Sequence, residues 1–439
     1  MQTTPTPTDA IVHALRNATP VGHVWVGFSG GLDSSVLLHA LHAQGTPDLQ
    51  AIHVHHGLHA DADTWADHCQ RACAALQVPL RIARVQVDHD SGLGIEGAAR
   101  AVRHAAYAEA MSTGDTLALA HHRDDQAETV LLRLLRGSGS EGLAAMATQR
   151  AFARGTLWRP LLRVERAQLL AYAQAHALHW IEDPSNAEHG PDRNFLRHRV
   201  LPLLRERWPH ASQVLTRSAG HLADDAALLR EQTAQHLADV RGLDPHTLKV
   251  SALLHRDPRW RARILRLWIE QLDLPPLPGD APARIEADLL DARADAQPLY
   301  RWRDAAMQRW RDLLHAGSLR TSMPADWSTL WDGRQPLLLP TGDRLILDGP
   351  AGCAFESPLR VHTRRGGERL RLPGRTHHHS LQHALQQHGV PPWQRTRLPL
   401  LSASDGELLA AGNCVISARM QGWLQQHTAR LTWIDRDAE

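Results

Sequence analysis

Lysine is almost absent from this chain: of its 48 basic residues, all but Lys249 are arginine. A Walker A phosphate loop needs a lysine directly after glycine, and Lys249 sits in Thr247-Leu-Lys-Val250, so that loop is excluded. Cysteine is scarce as well. Cys69, Cys73, Cys353 and Cys414 are too few and too scattered for a disulfide framework, and no CxxC pair occurs. Cys69 and Cys73, four apart on one face of a predicted helix, read as packing residues. No run approaches the roughly 18 apolar residues of a membrane span, and the amino terminus lacks a basic segment and a long apolar run. The expectation is a soluble cytoplasmic protein with no membrane partner. A global excess of charge is also missing, since the formal net charge is +1, so any polyanionic partner must be met by local patches. Three such patches exist, at 193–207, 256–266 and 360–375, each with five or six arginines against one acidic residue. A solvated helix face is the plain alternative for each.

What the chain does have is the stretch from His23 to His39, a short apolar strand running through Ser29-Gly30-Gly31-Leu32-Asp33-Ser34 into a helix. Two residues without a Cβ let successive backbone N–H groups converge on a phosphate at the helix N-terminus, where the dipole also favours an anion. The strand needs parallel neighbours, and the alternation continues after it. Helices are expected at 34–44, 63–76, 96–111 and 125–135, and strands at 49–54, 80–87 and 116–120. The first domain is therefore α/β, a doubly wound parallel sheet whose ligand sits at the carboxyl ends of the strands.

Two more clusters fall at strand ends. His53-Val-His-His-Gly-Leu-His59 has no cysteine or carboxylate in ligand spacing, so adenine or ribose contacts by His53 are preferred to a metal site. In His121-His-Arg-Asp-Asp-Gln-Ala-Glu-Thr129, Asp124 or Asp125 is expected to cap a helix, with Asp125 and Glu128 on one face. On the edge that also carries Asp33, those carboxylates suit Mg²⁺ ligation or capture of an ammonium group. The glycine-rich 136–142 is a plain connection or a segment that moves over the nucleotide. Further on, a helix at 163–176, a turn at 182–186 and a basic helix at 194–207 are expected. Residues 212–315 read as all helix. Short strands at 337–339, 344–347 and 359–362 then precede a helix at 380–388.

The loop at 29–34 resembles the pyrophosphate loop of the N-type ATP pyrophosphatases, the PP-loop. Taken in order with HVHHGL at 53–58, Glu96-Gly-Ala-Ala-Arg100 with Arg103, HHRDDQAET at 121–129, RGSG at 136–139, Arg193-Asn-Phe-Leu-Arg-His198, Gly367 to Arg375 and Gly389-Val-Pro-Pro-Trp393, the set resembles the tRNA(Ile)-lysidine synthetase family over most of the chain. The resemblance implies a PP-loop domain at 1–210, an all-helical substrate-binding domain at 211–330 and a small α+β tRNA-binding domain at 335–439. It further implies a ligase that uses ATP and Mg²⁺ to adenylate the C2 carbonyl oxygen of the wobble cytidine of isoleucine tRNA with a CAU anticodon. Free L-lysine then displaces AMP.

On that resemblance Ser29, Gly30, Gly31, Leu32, Asp33, Ser34 and His53 hold the nucleotide, and Asp33 also holds the metal. Asp125 and Glu128 bind the lysine ammonium, Arg103 contacts the α-phosphate or the cytosine, and His121 or His122 takes the amine proton. Arg193, Arg197, Arg199, Arg364, Arg365, Arg369, Arg371 and Arg375 contact tRNA phosphates. Two departures from the family stand out: His377-His-His-Ser-Leu-Gln-His383 where several lysines are usual, and His104 after Arg103 where tyrosine is usual. A PP-loop tRNA 2-thiolase would need catalytic cysteines in a suitable motif. A nonenzymatic tRNA-binding protein would not need the intact loop, and a histidine-rich metal protein would need coherent ligand spacing. Monomer and homodimer are equally compatible with the sequence.

Overall fold

The computed structural model describes residues 7–16, 22–88, 90, 92, 94–184, 192–293, 296, 298–320 and 322–435. The chain divides into two compact units, Met1–Leu229 and Arg230–Glu439.

In the first unit the elements run α1 (Pro7–Arg16), β1 (Val24–Gly27), α2 (Leu32–Ala43), β2 (Leu49–His55), α3 (Ala62–Ala75), β3 (Leu80–Arg84), α4 (Gly94–Ala110), β4 (Thr116–Ala118), α5 (Arg123–Leu135), α6 (Ser140–Leu143), β5 (Gln149–Phe152), β6 (Gly155–Trp158) and α7 (Arg166–Ala175). One sheet takes the order β3-β2-β1-β4-β6-β5. All neighbours are parallel except β5, which pairs antiparallel with β6 at the edge. Strand order reverses at β1, with β2 on one side (Val24 opposite Leu49) and β4 on the other (Val24 opposite Thr116). The loops leaving β1 and β4 therefore diverge and open a crevice. One face of the sheet is covered by α1, α2, α3 and α7 through Ile11, Val36, Leu37, Cys69, Cys73 and Leu169, the other by α4 through Ala106 and Tyr107. Cys69 and Cys73 are packing residues, as their spacing suggested.

The expected helices and strands of this unit are present within a few residues, with local differences. The helix expected from 163 begins as a 3₁₀ turn, Pro160–Arg163, before α7. The glycine-rich 136–142 is partly helical in α6, and the Arg133 guanidinium donates to the carbonyls of Gly142 (2.6 Å) and Ala145 (2.9 Å). Of the turn expected at 182–186, residues 185 and 186 lie outside the described residues. The basic helix is α8 (Asp192–Phe195), a π-helical turn at Leu196–Val200, and α9 (Leu201–Arg207). α10 (Ala211–Val240) follows.

The second unit corrects the all-helix reading of 212–315. Beside α11 (Val250–Leu254), α12 (Pro258–Gln271) and α13 (Ala281–Ile285) stand β7 (Thr247–Lys249), β8 (Leu299–Trp302), β9 (Ala305–Trp310) and β10 (Leu313–Ser318). They form an antiparallel sheet in the order β7-β10-β9-β8. Its hairpins turn through Arg303-Asp304 and Arg311-Asp312, with Arg303 at φ +45° and Arg311 at φ +55°. No Asn-Gly or Gly-Gly announces these turns, so the usual hairpin signal was missing. Residues 328–434 are β-rich: β11 (Ser328–Trp331), β12 (Leu337–Leu338), β13 (Arg344–Asp348), β14 (Leu359–His362), β15 (Arg369–Arg371), β16 (His378–Ser380), α14 (Leu381–Gln387), α15 (Pro392–Arg395), β17 (Leu400–Ser402), β18 (Leu408–Ala411), β19 (Val415–Ile416), α16 (Ala418–Gln426) and β20 (Arg430–Ile434). This agrees with the expected α+β class. No helix among the described residues is long and apolar enough to cross a membrane.

Candidate active site

The loop after β1 is held from three sides. The Phe28 amide donates to the Ile52 carbonyl (2.9 Å), and the Ile181 amide donates to the Gly30 carbonyl (2.8 Å). Gly30 has φ +82°, and a Cβ there would lie 2.8 Å from Ile181 Cδ1 and 3.0 Å from Cys69 Sγ, so the turn admits glycine on both conformation and space. Ser34 Oγ donates to the Gly31 carbonyl (3.0 Å) and lies 3.1 Å from Ser29 Oγ. Gly31 is the N-cap of α2 and offers no side-chain acceptor, which leaves the first amides of α2 available to an anion.

Asp33, in that first turn, faces the second strand end. Its Oδ2 and that of Asp125 each lie 3.5 Å from His122 Nε2. The cap of α5 is His122 rather than the expected Asp124 or Asp125. Its Nδ1 accepts from the Asp124 amide (3.2 Å), while Asp125 Oδ2 accepts from the His122 amide (2.9 Å), a reciprocal capping box. A ring nitrogen two bonds beyond Cβ reaches the same amide that an Asx oxygen would. Burial opposes charge on His122, but Asp125 and Asp33 outweigh it and its pKa is raised. Burial likewise opposes charge on Asp125, but His122 and then Arg193 overcome it and bring Asp125 down to about 2.

Glu128 is fully buried. A buried carboxylate needs paired charge and several donors, and two arginines supply them. Arg193 Nε donates to Glu128 Oε2 (2.8 Å) and Arg197 Nε to Glu128 Oε1 (2.7 Å). Both guanidinium groups also donate from Nη2 to Asp125 Oδ1, at 3.2 and 2.9 Å. This corrects two expectations. Arg193 and Arg197 are held by carboxylates rather than offered to phosphates, and Asp125 with Glu128 is a filled site rather than an open one. Arg199 remains exposed.

Three other expected residues stand elsewhere. His53 is buried beneath the loop, with Nδ1 3.0 Å from the Phe28 carbonyl and 3.4 Å from Cys69 Sγ, so it supports the turn and does not line the crevice. His121 accepts at Nδ1 from Arg159 Nε (3.3 Å). Burial, with Arg159, Arg193 and Arg100 close by, pushes its pKa down to about 3 against the pull of Asp125. Neither histidine is set up as the neutral-pH base that was expected. His121 is too weak, and His122 spends Nδ1 on the helix cap and directs Nε2 at two carboxylates. Arg103 lies outside the crevice lining, in the electrostatic neighbourhood of His56, Arg100 and His104.

The crevice is a cavity of about 1260 Å³ in the first unit. Ser29 and Gly31–Ser34 line it with His122, Glu128 and Arg197, and Trp180–Pro184 closes one side. Sequence reasoning missed that wall, having read 182–186 only as a turn. It also missed Arg123, paired with Glu165, and Arg205, paired with Asp124, for which spacing in the chain holds no signal. Among the described residues no group of three His, Cys, Asp or Glu side chains is placed to hold a metal by itself. Asp33 Oδ1, however, is buried without a hydrogen-bond partner. In the second unit Arg369, Arg371 and Arg375 are exposed, Arg364 pairs with Glu368 (3.5 Å) and Arg365 with Asp326 (3.9 Å).

Comparison with known proteins adds a family to this geometry. A PP-loop domain family matches residues 6–204, the TilS substrate binding domain family residues 248–315, and the TilS substrate C-terminal domain family residues 359–433. The tRNA(Ile)-lysidine synthase of Xanthomonas campestris is 52% identical over 422 residues, covering 95% of this chain and 97% of that protein. The enzyme of the same name from Xylella fastidiosa is 50% identical, covering 93% of this chain and 94% of that protein. The one from Alkalilimnicola ehrlichii is 42% identical over 92% of each. With such identity sustained from end to end of its relatives, the chain belongs to the tRNA(Ile)-lysidine synthase family.

Proposed function

We propose that the protein is an ATP-dependent ligase that joins L-lysine to the wobble cytidine of isoleucine tRNA with a CAU anticodon, releasing AMP and pyrophosphate. The observation that carries this reading is a single cavity that joins an anion-accepting turn, Gly31–Ser34, to the buried carboxylate Glu128. The cytidine C2 carbonyl oxygen attacks the α-phosphorus and the bond to the β-phosphate oxygen breaks. Charge grows on the leaving diphosphate, where the uncapped amides at the start of α2 can receive it. The lysine amine then attacks C2, and the bond from C2 to the AMP oxygen breaks.

Asp33 fits a role in holding Mg²⁺, because its buried, unpartnered Oδ1 is a hard oxygen donor beside the anion site. An ion held there would offset phosphate charge. His122, bridging Asp33 and Asp125, is a positioning residue that fixes the two strand ends relative to each other. Asp125 and Glu128, filled in this structure by Arg193 and Arg197, would serve the amino-group end of lysine once one of those arginines is displaced. We assign catalysis to 1–210 and tRNA binding to 211–330 and 335–439, with Arg199, Arg369, Arg371 and Arg375 as exposed phosphate contacts, and a cytoplasmic location. Thiolation finds no nucleophile in Cys69 or Cys73, whose buried thiols are pushed up to about 12.

The test is incorporation of radiolabelled L-lysine into an isoleucine tRNA transcript with the CAU anticodon, with AMP release followed in parallel. ATP-dependent labelling that falls at least about a hundredfold in Asp33→Ala is expected. AMP release without lysine incorporation would reject lysine as the nucleophile.

A further inference from the structure

Asp125 and Glu128 are read above as the seat of an ammonium group, yet both are occupied by cations of the protein's own chain. Asp125 and Glu128 face two guanidinium groups, and His122 bridges Asp125 to Asp33, so the chain's own cationic groups already match these carboxylates. If one arginine leaves, a single negative charge remains, and an ammonium ion restores the balance with the same acceptors.

The two arginines are not equivalent. Arg197 lines the cavity together with the phosphate-binding turn, whereas Arg193 does not. Arg197 also feels the charge of Asp33, the residue at the head of that turn. It is carried by the π-helical turn Leu196–Val200, while Arg193 sits on the preceding α-helical turn. A π turn is an uncommon local winding found mostly as single turns at functional sites, and rewinding it to α geometry rotates the side chains it carries. Of the other arginines that line the cavity, Arg166 is exposed, and two have fixed duties. Arg123 holds Glu165 and the Arg163 carbonyl, and Arg205 holds Asp124 and Ser212. When a polyphosphate enters, the cavity-lining cation whose present partners are the amine's own acceptors is Arg197.

We propose that Arg197 is a gate for the amine site: it fills the acidic pair in the empty enzyme and swings to the polyphosphate when ATP binds, so that the lysine ammonium takes its place against Asp125 and Glu128. Arg193 stays and keeps Glu128 paired. The gate rests on the reading of Asp125 and Glu128 as the ammonium site. It imposes an order, nucleotide before amine, and withholds the nucleophile until there is something to activate.

Equilibrium dialysis of radiolabelled L-lysine against the full chain, with and without Mg²⁺ and α,β-methylene-ATP, decides the matter. The wild type is expected to bind lysine about tenfold or more tightly with the nucleotide present, and by reciprocity lysine should tighten nucleotide binding by the same factor. Arg197→Ala should bind lysine with one affinity in both conditions. Equal lysine affinity of the wild type with and without nucleotide overturns the gate, and that comparison needs no variant to fold. The underlying reading is tested apart from it by Glu128→Gln. Lost lysine binding supports the ammonium site, and wild-type affinity in that variant overturns the site and the gate together. Failure of the wild type to bind lysine even with nucleotide also overturns both.

Discussion

His121 illustrates how a buried side chain ties stability to pH. Its folded pKa of about 3 lies well below the value of roughly 6.5 that an unfolded chain would show. The direction of the effect follows. Above pH 6.5 the ring is neutral in both states and contributes no pH dependence. As pH falls below 6.5 the unfolded chain gains a proton that the folded chain refuses, and stability declines until the folded pKa is reached. His56 and His104, each lowered to about 4 chiefly by burial, act in the same direction. At pH 5.5 the His121 share amounts to about 1 kcal/mol. Urea unfolding at pH 7.5 and 5.5 should therefore show a loss of stability on acidification. In His121→Gln, which can still accept from Arg159, that loss should be smaller by about this amount. The same loss in both proteins would mean that His121 is charged, or open to water, in the fold.

At the scale of elements, the turn from β1 into α2 concentrates the site's demands in Gly30. A side chain at φ +82° costs about 1–2 kcal/mol, and its Cβ would press on the ends of the Ile181 and Cys69 side chains, which must shift to admit it. Gly30→Ala is expected to lower stability by about 1–3 kcal/mol and to weaken binding of α,β-methylene-ATP, both measurable by thermal shift with and without the nucleotide. Unchanged nucleotide affinity would show that the turn does not shape the phosphate site. This turn was legible in the sequence because glycine, serine and aspartate each have a local physical reason to be there, and so was the strand and helix alternation that places it. The hairpins of β8, β9 and β10 were not legible. Their turns rest on arginine in a left-handed conformation, stabilised by sheet pairing rather than by the residues themselves. The arginine clamp was hidden for a different reason. Glu128 and Arg197 are 69 positions apart, and only the fold reveals that the carboxylate is buried and must be paired. Sequence spacing placed Asp125 beside Glu128 correctly but gave no sign that the pair was already filled.

At the scale of the whole molecule the near balance of charge shapes how a polyanion can be held. With a formal net charge of +1, long-range attraction to nucleic acid is weak, and binding must come from arginines gathered on particular surfaces. The ribbon of β15 and β16 is one of them. Arg371 lies opposite His378 and Arg369 opposite Ser380, so these four share a face, while Leu370 between the arginines is buried beneath. Contacts of this kind release counterions, and each phosphate neutralised adds roughly 0.7–0.9 to the slope of log affinity against log salt. The double variant Arg369→Gln, Arg371→Gln should therefore bind isoleucine tRNA more weakly at every salt concentration. Its slope in filter binding between low and physiological salt should be shallower by about 1–2. The nucleotide-dependent thermal shift should stay as in the wild type, because the ribbon lies in the second unit and the phosphate turn in the first. A slope unaltered by both substitutions would remove this ribbon from the tRNA interface and move the search to the exposed Arg199 and the arginines of α12.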